Sequence, residues 1–156
     1  MICGDVLSSH LLAAHNLIRW FILPAAVVAV FAAVSGWNGS KPASPILRRS
    51  GSVFVAAMDV QFVIGIILYF WASPTTQVAF QNMALAMKDH ELRFFSVEHV
   101  TYMFIAVVLA HVGAGISRKA KTDRAKYRGA TIAYTLSLLL MLAGIPWWRP
   151  LLRWGS

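Results

Sequence analysis

Four stretches of the chain, residues 17–35, 53–71, 97–117 and 130–148, are each apolar over about the twenty residues that a helix needs to cross the hydrocarbon core of a bilayer. Lipid offers no partners to backbone N–H and C=O groups, so such runs enter a membrane only as helices or closed barrels. Little sequence lies outside them, and all 156 residues read as a single all-α domain, 1–156, with no soluble module. The composition agrees: 58% hydrophobic, 13% charged and a mean hydropathy of +0.64. Short connections favour antiparallel neighbours, so the expected fold is an integral-membrane, up-and-down bundle of four transmembrane helices.

Breakers fall between the runs. "GWNGSKPASP" follows the first, "ASP" at 72–74 ends the second, and "GIPWW" ends the fourth with Pro146 and an aromatic pair suited to an interface. Pro24 sits inside the first run and predicts a local kink. The long second connection, "VAFQNMALAMKDHELRFF", spaces Phe80, Met83, Ala84, Met87 and Phe94 or Phe95 near a helical period. A short amphipathic helix lying on the membrane surface is expected there. The first ten residues, "MICGDVLSSH", hold no Lys or Arg, so the first run is expected to be a mature helix rather than a signal peptide. A lone Cys3 excludes an intrachain disulfide.

A net charge of +8 would suit nucleic acid, but the cations fall where membrane topology puts them. Lys41, Arg48 and Arg49 occupy the first connection, and Arg118, Lys119, Lys121, Arg124, Lys126 and Arg128 crowd the third; the second balances Lys88 and Arg93 against Asp89, Glu91 and Glu98. Loops 37–52 and 118–129 are therefore expected to be cytoplasmic, both termini to lie on the outer side, and the basic runs to meet lipid headgroups rather than nucleic acid. Trp20, Trp71, Trp147, Trp148 and Trp154 read as interfacial belt residues.

This orientation gives each polar residue a depth. His15, Arg19, Tyr69, Glu98, His99 and Tyr102 fall in an outer layer; Asp59, Gln61, His111 and Tyr134 fall in an inner one. Below His15 the same helical stripe carries Ile22, Ala26, Ala29 and Ala33, and below His99 it carries Tyr102, Met103, Ala106, Ala110 and Gly113. Small residues beneath an imidazole leave room for a flat macrocycle, and imidazole is a common axial ligand of haem iron. They are equally how membrane helices approach each other. The metal-binding expectation is haem b between His15 and His99, with Arg19, Glu98 and Tyr102 in the cofactor's surroundings; chlorin or quinone are the other ligands weighed. His111 stands about 120° round the helix from His99 and needs a different partner, for which Asp59 is at matching depth. That pair reads first as an internal fastening between helices, second as a proton-accepting or quinone-facing site. Arg19 can instead snorkel to headgroups.

The segments "HNLIRW" (15–20), "DVQFVIGIILYFWASP" (59–74), "RFFSVEH" (93–99), "AHVG" (110–113) and "AGIPW" (143–147) together resemble a group of small bacterial four-helix membrane proteins labelled cytochrome b-like. The resemblance spans nearly the whole chain and implies a haem-binding membrane protein of bacterial type; with the inner membrane as the expected location, the termini that loop charge sets outside are expected to be periplasmic. Relatives in that group can carry a histidine where this chain has Asp59. The expected function is membrane electron transfer through one haem near the outer face, as part of a membrane electron-transfer complex rather than as a stand-alone enzyme. Two readings compete: a cofactor-free, pigment-binding or lipid-binding accessory subunit of a respiratory or photosynthetic complex, and a small proton-linked transporter or quinone protein using Asp59, Gln61 and His111. No Gly-rich phosphate loop, HExxH, cysteine pair or serine elbow points elsewhere.

Overall fold

The computed structural model describes residues 2–39 and 41–149, and every described element is helical. Helix α1 runs Ile2–Val34, α2 Pro45–Ile67, α3 Pro74–Gln81, α4 Met83–Ala86, α5 His90–Arg93, α6 His99–Lys119 and α7 Asp123–Gly144. Wide π-helical turns carry α2 on through Leu68–Ala72 and join α5 to α6 through Phe94–Glu98. Trp154 lies outside the described residues.

The helices begin where capping chemistry starts them rather than where the apolar runs do. Ser44 accepts from the Leu47 N–H and is followed by Pro45, so α2 opens eight residues before the run at 53. Thr122 accepts from the Ala125 N–H and opens α7 at Asp123, ahead of 130. Helix α1 starts at Ile2 rather than 17 and continues through Pro24, so His15 lies well inside it instead of at its outer end. The second connection is three short helices in place of one. Asn82 leaves helical geometry (φ −149°, ψ 85°) and caps α4 through Leu85, and Asp89 caps α5 through Leu92.

Among the described residues three helices are long and apolar enough to cross a membrane: Val6–Val34, Pro45–Ala72 and His90–Lys119. Helix α7, with Asp123, Arg124, Lys126 and Arg128 in its first turns, is not one of them. Each of the four long helices nevertheless packs against two others: α1 on α2 and α7, α6 on α2 and α7. Close approach rests on small side chains, with Ala26, Ala29 and Ala33 of α1, Ala106 and Ala110 of α6 and Ala130 of α7 fully buried around Phe54, Met58 and Tyr134. Ser137 adds a buried hydrogen bond from α7 to the Ala106 carbonyl of α6, 2.7 Å. Outward, Val28, Phe31, Trp71, Phe104 and Leu139 are all half or more exposed, an apolar surface of the kind lipid covers.

At the basic end, Tyr127 holds the first connection. Its hydroxyl donates to the Pro42 carbonyl (3.1 Å) and accepts from the Ser44 N–H (3.2 Å), and its ring fills the space a side chain at Gly36 would need. Arg128 donates to the Trp37 carbonyl and lies over the Trp37 ring. Gly39 takes φ +74°, which closes the turn. On the α7 side, the Lys126 ammonium bonds to Asp123 at 3.0 Å and holds that exposed carboxyl below its ordinary pKa.

Candidate functional site

His15 and His99 face each other from α1 and α6. Their ring centres are 6.3 Å apart and their planes cross at 62°. Both line a cavity of about 500 Å³ bounded by α1, α2 and its π-helical end, the start of α3, α6 and the end of α7. Met58, Met103, Val107 and Met141 bound it with Ile22, while Arg19, Asn16, Tyr69 and Arg149 supply polar walls. The volume is in the range of small-molecule and cofactor sites. Room is therefore found at the level of the histidines. The alanine stripes below them are closed by helix packing.

Each ring is positioned by its surroundings. Helix α7 ends at Gly144, Ile145 is already extended, and Pro146 offers no N–H, so the terminal carbonyls of α7 lack intrahelical partners. The Gly144 carbonyl points to His99 Nδ1 at 2.7 Å. A carbonyl only accepts, so Nδ1 carries the proton and a neutral His99 presents the lone pair of Nε2. Phe94 and Phe95 flank the same ring at 5.9 and 6.0 Å. His15 sets its Nδ1–Cε1 edge against Gly65, where an added Cβ would stand 3.3 Å from Cε1. Its Nδ1 is buried without a hydrogen-bond partner.

Gln61 belongs here and not to the inner layer. Its Nε2 donates to the His15 carbonyl at 2.8 Å, and its Oε1 is buried without a partner. Half a helical turn in phase separates it from Asp59, enough to send neighbouring polar residues to opposite faces of α2. Glu98 is taken by Arg93 (2.8 Å, both about one-third exposed). Arg19 stays in the cavity wall, 5.8 Å from the Trp20 ring centre. Tyr102 packs beside Gly144 and is not part of the lining, whereas Tyr69 is, with its hydroxyl donating to the Ser96 carbonyl at 2.8 Å.

At this end the second connection and the segment after α7 pack together. Arg149 pairs with Glu91 and lies 4.4 Å over the Phe95 ring centre; Trp148 packs on His90 and Phe94. Gly65, the Gly144 carbonyl and Arg149 were not marked by the sequence pattern. A glycine in an apolar helix was the available signal for the first; a backbone acceptor leaves none.

The inner layer separates. His111 Nε2 and Asp59 Oδ1 are 3.4 Å apart on α6 and α2, both about half exposed, and His111 Nδ1 bonds to the Val107 carbonyl at 3.0 Å. Tyr134 is fully buried elsewhere, against Phe54, Gly51 and Gly113. Among the described residues no three His, Cys, Asp or Glu side chains gather as a bare metal ion would require. Comparison with family models, with curated proteins and with solved structures returns no match.

Proposed function

We propose that the chain is a membrane-embedded electron-transfer protein of the b-type cytochrome kind, holding one haem between His15 and His99. The observation that carries this is their spacing. A metal–imidazole nitrogen bond of about 2 Å on each side, with half of each ring added, separates two ligand centres across one metal by roughly 6 Å, and these rings are 6.3 Å apart. A haem supplies four nitrogens of its own, so two protein ligands suffice.

The residues present fit such a group. His99 offers Nε2 because Gly144 fixes the proton on Nδ1, the backbone support that orients metal-ligating histidines generally. Two imidazoles facing across one gap suit a six-coordinate iron better than a chlorin magnesium bound by a single histidine. Arg19 and Arg149 place guanidinium groups in the same cavity wall, the residue type that recognises carboxylates. Bound there, haem would supply a one-electron iron centre. The chain's own contribution is to fix both rings, to wall the cavity with methionine and aliphatic side chains, and to hold Arg149 of its wall through a pair with Glu91.

In this reading α7 is the fourth span. Its outward residues Ile132, Leu136 and Leu139 are exposed and apolar, and its charged first turns join the basic third connection. The positive-inside rule then sets loops 37–52 and 118–129 in the cytoplasm and both termini outside, in a bacterial inner membrane. Redox partners would be other membrane proteins.

The test is an optical spectrum of the purified protein, oxidised and then dithionite-reduced. Soret and α bands are expected, and both His15→Ala and His99→Ala should abolish or deeply change them. A colourless wild type, a chlorin-type red band, or unchanged bands in the two variants would overturn the reading.

A further inference from the structure

The exposed Asp59–His111 pair poses a separate problem. Asp59 lies fourteen residues from Pro45 and thirteen from Ala72, the ends of its membrane-length helix, and so sits near mid-span. About half of the Asp59 side chain and half of the His111 side chain are exposed. The nearby exposed side chains Val60, Val63, Phe104 and Val108 are apolar. Ionisable groups at this depth are costly against lipid and normally face protein or a water-filled cavity. The cavity of His15 and His99 does not extend to this pair.

We infer that this face of α2 and α6 is where a second copy of the chain docks, with each Asp59 meeting the partner's His111. The charge arrangement selects that occupant. Acid and base stand at one depth on adjacent helices, so a two-fold axis along the membrane normal preserves depth and exchanges the helices, setting each group against its complement. Such isologous contact is the commonest way soluble chains self-associate. The four groups then form an alternating ring, and each half-exposed group gains a partner on its open side.

The surface also permits close approach. On the basic-end side of the pair, α2 exposes Ser52 and Ala56, and α6 carries Gly115 at the corresponding level. A Cβ at Gly115 would meet nothing within 4 Å, so open space lies beside the α6 backbone. Small residues at such positions let membrane helices pack backbone to backbone. The Phe62–Phe104 contact, 6.2 Å between centres, bounds the same face on its other side. The proposal concerns a surface distinct from the His15–His99 cavity and holds whether or not that cavity binds haem.

Cysteine cross-linking in native membranes tests it, in a Cys3→Ser background. Because α2 of one copy faces α6 of the other, a chain carrying Ala56→Cys co-expressed with a chain carrying Gly115→Cys should give a disulfide-linked product of twice the chain mass, and the Gly115→Cys chain paired with Val28→Cys, exposed on α1, should not. Adding Asp59→Asn and His111→Ala to both chains should lower the cross-linked yield about tenfold, with helix content unchanged by circular dichroism. The inference is overturned if the Ala56→Cys and Gly115→Cys chains fail to cross-link, link no better than the Val28→Cys pair, link to a protein of another mass, or keep their yield after Asp59 and His111 are both replaced.

Discussion

The Tyr134 hydroxyl rests against the backbone of Gly51, filling the space a Cβ there would take, while the edge of the same ring stands 2.6 Å from where a Cβ on Gly113 would be. One side chain of α7 thus sets how closely α2 and α6 approach it, and two glycines are the condition of that closeness.

Gly51→Ala should therefore destabilise the bundle by about 1–3 kcal/mol, the usual cost of overpacking a tight core. Tyr134→Phe frees the space of one oxygen and should recover part of that loss when combined with Gly51→Ala, though not with Gly113→Ala, where the ring itself is the obstacle. Thermal unfolding in detergent of the singles and doubles would read this; additive effects in the Gly51 pair would contradict the contact.

Gly65→Ala tests the His15 pocket with little risk to folding. The added methyl needs the ring to move by a few tenths of an ångström, since its Cβ would stand 3.3 Å from Cε1. Unfolding should change by less than about 1 kcal/mol. If His15 is an axial ligand, the Soret position or reduction midpoint should move, while Gly115→Ala, made in open space, should leave both unaltered.

Arg93→Gln and Glu98→Gln should each cost no more than about 1 kcal/mol, because the pair is partly exposed and within one chain segment. Neither should change the absorption spectrum. A spectral change confined to Glu98→Gln would mean that this carboxylate acts on His99 after all.

Tyr127→Phe removes both hydroxyl contacts that pin residues 42–44, at about 1–2 kcal/mol for the two bonds. Limited proteolysis should then cut the first connection at Lys41 several times faster. Equal cutting rates would place the anchoring elsewhere, in Arg128 and Trp37.

The helical, membrane-suited character of the chain was legible because apolar runs of bilayer length have few other outcomes in water or lipid. So was the meeting of His15 with His99 and of His111 with Asp59, since depth follows from counting residues along antiparallel helices. What misled was phase and local chemistry. Gln61 shares a depth with Asp59 but faces the other way, and Glu98 chose Arg93, five residues away, over a cross-helix cation. The alanine stripes, which read equally as room for a ligand and as helix contact, are contact surface. The second connection looked continuous by hydrophobic spacing, yet Asn82 and Asp89 each restart a helix, a capping signal that periodicity does not weigh.

The wide turn Phe94–Glu98 accommodates one residue more than regular helix would. Everything N-terminal to it is consequently rotated out of step with the stretch that follows. Removing a residue there would restore an unbroken rod and swing either the Glu91 end or the His99 imidazole away from its present bearing, so this loosened coil acts as the joint that lets the roof and the pocket be aimed separately.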